Sequence, residues 1–409
     1  MITFRYKYII FFIASALVPC TAYSAPAASR QILQEEIHQQ GEEIQKLMQE
    51  MQSKNTAFQI SSGAVMEYQY KFYSHTHGGK LILDYVPLSI HGKVGKHWSY
   101  GISERFSTSN IANHAYLHYG WIAYSFGHHS QQHIRFGFFH EPFGNLPYGY
   151  DSFWGSLGYY AGFTDHQAAG LEYQTHHGPW HFAIAAFKND NLGQPSTYAG
   201  GVPTGDFQSI NGGDLRLAYH FGKPLGIHGN VSAAIKGGEL LAGNRTGNRW
   251  AATLASDVSL GNWNIKDQIV NYAFDIPSRA QAHGVYLPRN LITVENYGFA
   301  YQMPARGLLL SASIERHIPI HAGPLQGINL YDDYGYLDVV GKSIVNQSTE
   351  NSYNNVQLNV IGTEFILKPL YIWADYALGR NAGMAFVGSD NNQWHARFNL
   401  AVGFYFSAL

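Results

Sequence analysis

Beyond residue 62, hydrophobic and polar residues alternate one by one along much of this chain. In RFNLAVGFYFSAL, Phe398, Leu400, Val402, Phe404 and Phe406 share one parity, while Arg397, Asn399, Ala401, Gly403 and Ser407 share the other. A period of two marks a strand whose faces meet different surroundings. DLRLAYHF repeats the pattern, setting Leu215, Leu217, Tyr219 and Phe221 against Asp214, Arg216 and His220. In RWAATLASDVSL, Trp250, Leu254 and Val258 oppose Arg249, Thr253 and Asp257. Sixteen strands are predicted. The first eight are 63–73, 80–94, 98–107, 115–126, 133–140, 167–175, 180–188 and 213–221. The rest are 226–237, 249–259, 262–273, 291–303, 307–318, 355–366, 370–378 and 393–406.

The connections sort by parity. Short turns fall at 95–97, 128–131, 176–179, 222–226, 261–262, 304–307 and 368–369. Between them lie 74–79, 108–114, 141–166, 189–212, 238–248, 274–290, 319–354 and 379–392, most of them long. Short turns at one end and long loops at the other are expected of an outer-membrane barrel with an even strand count. A β-sandwich would not sort its loops in this way. The predicted fold is all-β: a 16-stranded antiparallel transmembrane β-barrel at 63–409, behind a short helical segment.

The first residues read differently. Arg5 and Lys7 precede an apolar run from Tyr8 to Val18, and Ala22 and Ser24 suit cleavage before Ala25, so 1–24 reads as a cleaved signal peptide. Residues 25–62 read as a periplasmic stalk. Ile37, Ile44 and Met51 lie seven apart, with Leu33 and Leu47 on companion positions, the pattern of a short oligomerising coiled coil. One amphipathic helix against a neighbour is the alternative. The stalk reads as too short for the plug of a gated receptor, and anchoring to the cell wall is not expected.

Composition agrees with the barrel. Charged residues make up 13% of the chain, about half the usual share, whereas aromatics reach 15%, with 29 Tyr and 43 Gly. A membrane barrel needs this balance, since each strand gives half its residues to lipid and half to a wet lumen. Removing Arg5 and Lys7 leaves 24 basic against 28 acidic residues, which makes nucleic acid an unsuitable partner. The sole cysteine, Cys20, falls in the signal segment, so no disulfide is expected in the mature chain.

IRFGFFHEPFG (134–144), DHQAAGLEYQTHHGPWHFAIAAFKND (165–190) and the terminal strand resemble those of 16-stranded trimeric Gram-negative outer-membrane porins, most of all the phosphate-selective-porin-like branch. The resemblance spans nearly the whole mature chain. It implies a homotrimer in outer-membrane lipid, inserted by the barrel-assembly machinery through a signal on Phe398, Leu400, Val402, Phe404 and Phe406. In such barrels the last aromatic closes the chain, whereas Ser407, Ala408 and Leu409 run past Phe406 here. It also implies that the third external loop, 141–166, folds inward to narrow the pore.

That loop carries Glu141, Asp151 and Asp165 without Lys or Arg. Parity points Lys71, Arg105, Arg135, Arg216, Lys236, Arg249 and Arg397 into the lumen, with Glu67, Glu172, Asp257 and Glu315 as the inward acids. An acidic loop opposite a basic wall would create a transverse field favouring anions or zwitterions. Scattered, locally paired lumen charges are the alternative. Tyr148, Tyr150, Trp154, Tyr159 and Tyr160, with Phe143, Phe153 and Phe163, form either a solute-stacking surface or the loop's anchors to the wall.

Twenty-one histidines stand out, including His75 with His77, His128 with His129 and His176 with His177, yet no metal-binding or catalytic motif orders them. Neither a cofactor nor an enzymatic activity is expected. The leading function is a passive porin for small hydrophilic solutes. The alternatives are uptake of a ferric siderophore without an energy-coupling receptor, and a structural or adhesive barrel using 318–354.

Overall fold

A computed structural model describes residues 57–74, 78–107, 115–146, 148–190, 192, 207–222, 226–296, 299–340 and 354–408. The signal segment, most of the stalk, His75 and His77 lie outside the described residues. Gln59–His91 and His97–Leu409 form one compact unit.

The strands are long and meet only their sequence neighbours in the barrel. The first six are β1 (Ala57–Lys71), β2 (Lys80–Val94), β3 (Trp98–Phe106), β4 (Ala115–Phe126), β5 (Gln132–His140) and β6 (Gln167–His177). Then come β7 (Trp180–Asn189), β8 (Phe207–Gly222), β9 (Ile227–Ala242), β10 (Arg245–Leu260) and β11 (Trp263–Asp275). Four short strands leave the wall: β12 (Gln281–Ala282), β13 (Val285–Tyr286), β14 (Leu291–Asn296) and β15 (Phe299–Pro304). The wall resumes with β16 (Arg306–Ala322), β17 (Leu325–Val339), β18 (Val356–Leu367), β19 (Leu370–Arg380) and β20 (Trp394–Ala408). Sixteen strands close when β1 pairs antiparallel with β20, from Ile60 opposite Ala408 to Lys71 opposite Arg397. Closure removes the unpaired edges that an open sheet would expose.

The sheet is apolar outside and polar inside. Leu254 is 64% exposed and Phe136 61%, whereas Glu172 and Asp375 are each 1% exposed. Water would penalise such an outer surface; lipid acyl chains would not. Leu254→Arg should therefore cost about 2–4 kcal/mol of barrel stability if this outward position lies near the bilayer midplane, read by denaturant titration in lipid vesicles.

Four assignments differ from expectation. β1 starts at Ala57, so residues 57–62, read as the end of the stalk, are strand. Segment 291–303 is not a wall strand: β14 and β15 pair with each other, Leu291 opposite Pro304 through Asn296 opposite Phe299. The missing wall strand is β17, inside the segment expected to be the seventh loop. These last two changes cancel in the count. The expected connection at 238–248 also shrinks to 243–244, because β9 and β10 both run further.

Turns separate by length with one exception. One end carries 95–97, 127–131, 178–179, 223–226, 261–262, 323–324 and 368–369; the other carries the two-residue turn 243–244 and the longer connections, including 141–166 and 276–305. Much of the apolar core lies inside the barrel. Phe143, Leu157 and Phe163 from loop 141–166 pack with Tyr272 and Leu337 of the wall, and with Ile292, Val294 and Met303 of the β14–β15 hairpin.

Candidate functional site

Loop 141–166 turns into the lumen directly after β5. Gly144 makes the bend with φ +69°, and a Cβ there would lie 2.4 Å from Gln268 Nε2, so glycine serves both the backbone and the close approach. A single helical turn, α1 (Leu157–Tyr160), follows, with Ser156 Oγ accepting from the Tyr159 amide.

The first anchor is a buried charge cluster. Glu141 Oε2 lies 2.7 Å from Lys236 Nζ and 2.8 Å from His166 Nδ1, while Arg249 Nη2 is 3.4 Å from Oε1. Lys236 also sits over the Phe143 and Phe163 rings, 4.6 and 5.2 Å from their centroids. Burial alone would raise the Glu141 carboxyl, but His166, Lys236 and Arg249 outweigh it and hold it well below the usual carboxylate range. Burial pushes the His166 imidazole down to about 4, so near neutral pH it is uncharged and Lys236 and Arg249 supply the positive charge facing the carboxylate. Lys236 and Arg249, expected to line the pore, are instead covered by the loop they hold.

The second anchor uses the wall's carboxylates as acceptors. Asp333 on β17 accepts from the Asp151 and Ser152 amides at 3.2 and 2.7 Å, and Asp375 on β19 accepts from the Trp154 amide at 2.9 Å. Asp151 itself pairs with Lys266 and accepts from Ser313 Oγ. Asn145 donates to the Ser256 and Asp267 carbonyls, and Tyr301 of the off-wall hairpin donates to the Tyr160 carbonyl at 2.5 Å. Charged acceptors make the stronger of these hydrogen bonds.

A third contact joins the loop's two ends. His140, the last residue of β5, places Nε2 2.5 Å from Asp165 Oδ1, and His118 on β4 places Nε2 4.0 Å from the same oxygen. Burial would raise the Asp165 carboxyl, but the hydrogen bond from His140 and the neighbouring positive groups bring it to about 2.

Between the seated loop and the opposite wall a cavity of about 660 Å³ remains. From the wall it is lined by Glu67, Lys71, Lys80, Asp84, Arg105 and Arg397. From the loop come Tyr148, Tyr150, Asp151, Trp154, Tyr159 and Asp165, with Tyr160 behind. The aromatics divide by role. Phe143 and Phe163 pack beneath the loop, while Tyr148 and Tyr150 present rings to the cavity and Trp154 stacks under Arg397, 4.1 Å from ring centroid to guanidinium carbon.

The remaining sequence candidates sit elsewhere on the lumen face. Arg135 reaches Glu172 at 3.5 Å and lies over Trp121, and Arg216 donates to the Gly144 carbonyl at 3.4 Å. Asp257 accepts from Asn264, and Glu315 stands opposite Asn264 and Tyr331 in register. Phe398, Leu400, Val402, Phe404 and Phe406 lie on the face of β20 opposite Arg397, with Phe404 45% exposed. Sequence reasoning passed over Lys80, Asp84, Lys266, Asp333, Asp375, His118 and His140. Parity could have found Lys80 and Asp84 in KLILDY and Asp375 in WADYAL.

No protein-family model matches the chain, and no curated protein sequence does. Solved structures do match. The outer membrane channel DcaP of Acinetobacter baumannii aligns with TM-score 0.59 and 12% identity, over 86% of this chain and 97% of that one. The chain has the porin fold. OprB of Pseudomonas putida aligns at 0.57 and 9%, over 88% and 96% of the two chains. The trimer form of Vibrio cholerae OmpT aligns at 0.50 and 10%, over 86% and 99%. At such identities the porin likeness concerns architecture.

Proposed function

We propose that this chain forms a water-filled channel across a bacterial outer membrane, through which small hydrophilic solutes diffuse past loop 141–166. The carrying observation is the cavity of about 660 Å³ left between that loop and the wall, lined by charged and tyrosine side chains, inside a barrel whose outer face is apolar. A homotrimer is the proposed assembly, in keeping with the trimer form of the OmpT neighbour.

The selectivity leans to anions and zwitterions. Lys71, Lys80, Arg105 and Arg397 face the cavity against Glu67 and Asp84 on the wall, while the loop acids Asp151 and Asp165 are engaged by Lys266 and His140. Fixed charge at a constriction sets ion preference. Single-channel recording in planar bilayers tests the reading. Steady conductance in steps of three, with an anion-selective reversal potential, is expected. A barrel that barely conducts would overturn the diffusion channel and direct the next trial to a ferric siderophore. Arg105→Glu should lower the anion-to-cation permeability ratio by about threefold or more, read from the reversal potential in a salt gradient.

A further inference from the structure

We propose that His118, His140 and Asp165 form a lumen site for a zinc-class divalent cation at the root of the constriction loop. Among the described residues, these three bring one ligand atom each to within 4.8 Å of one another. The spacing already approaches that of a metal shell. Zinc bonds of about 2.0–2.2 Å in a tetrahedron set neighbouring ligand atoms about 3.3–3.6 Å apart. The observed His140–Asp165 and His118–Asp165 separations of 2.5 and 4.0 Å bracket that value. The two imidazoles meet edge to face with centroids 5.6 Å apart, so small ring rotations would bring both Nε2 atoms to one point.

Gln167 offers a fourth donor. Its amide nitrogen lies 3.0 Å from His140 Nε2 and 3.2 Å from Asp165 Oδ1, and turning the amide over presents its oxygen there instead. Two imidazoles with one carboxylate suit zinc, cobalt or nickel, whereas magnesium and calcium prefer an all-oxygen shell. Arg105 opposes a cation here, since its charge acts on both His118 and Asp165; the Asp165 carboxylate offsets it. Asp165 also lines the cavity, which supplies a route for the ion and room for water in an open position. His140 ends β5 and Asp165 stands two residues before β6, so a bound ion would clasp both ends of loop 141–166 to β4.

Full-length protein, stripped with chelator and kept in detergent, should be titrated with cobalt chloride and then zinc chloride. The wild type should show the visible absorption of four- or five-coordinate cobalt at about one equivalent per chain, displaced by zinc and not by magnesium. His118→Gln and His140→Gln should each weaken binding by about tenfold or more. His176→Gln with His181→Gln, at a histidine contact of 2.9 Å elsewhere on the wall, should leave it unchanged. Equal binding by the His118 and His140 variants, or loss in the His176/His181 variant alone, would overturn the site. If those variants do not fold, an octahedral cobalt spectrum in the wild type does so by itself. The readout needs no current, so a non-conducting barrel would refute the channel and leave this result standing.

Discussion

Lys236→Met should unseat the constriction loop while leaving the barrel closed. Lys236 and Glu141 meet at 2.7 Å with both side chains 1% exposed, so the substitution strands a buried carboxylate. Breaking such a pair from one side costs about 3–5 kcal/mol, more than the attraction alone, because the remaining charge has lost its counterpart without regaining water. Arg249 at 3.4 Å offsets part of that cost. The wall strands keep their full pairing, so the cost falls on the loop's docking. Channels should assemble, conduct more and fluctuate between levels. Adding Glu141→Gln should recover most of the loss, since the amide removes the carboxylate that Lys236→Met strands. Thermal denaturation of the two single variants and the double variant measures the coupling directly. Independent, additive losses would mean that the cluster does not hold the loop.

Removing residues 145–162 and joining Gly144 to Phe163 should raise single-channel conductance by about twofold or more, because a barrel of this strand number is wide without its internal loop. The rings flanking the junction already pack, Phe143 and Phe163 with centroids 5.9 Å apart. Glu141 and Asp165 remain, so both roots of the loop keep their partners. An unchanged conductance would place the narrowest passage elsewhere, with the β14–β15 hairpin the next segment to delete.

The errors in strand assignment have a common cause. β17 contains Asp332 and Asp338 on the parity that carries Ile328 and Leu330, and two carboxylates on an apolar face read as a loop. Segment 291–303 is rich in β-branched and aromatic residues, which fit a pleated surface anywhere, whether wall or hairpin. Its turn chemistry, Asn296 with Gly298, was the available clue. Neither feature reports on strand neighbours, and barrel membership is a matter of neighbours.

Period-two alternation by itself determined that this chain makes long strands with one apolar and one polar face. The same parity assigned Glu67, Lys71, Arg105 and Arg397 to the inner face, because in a strand the side-chain direction follows from position alone. Tertiary structure alone decided which inner charges meet water. Lys236 and Arg105 are alike in sequence terms, yet one is sealed beneath Glu141 and the other faces the cavity. The difference comes from where loop 141–166 comes to rest. That is set by contacts 95, 181 and 221 residues apart along the chain, to Lys236, Asp333 and Asp375, a range over which no local pattern carries information.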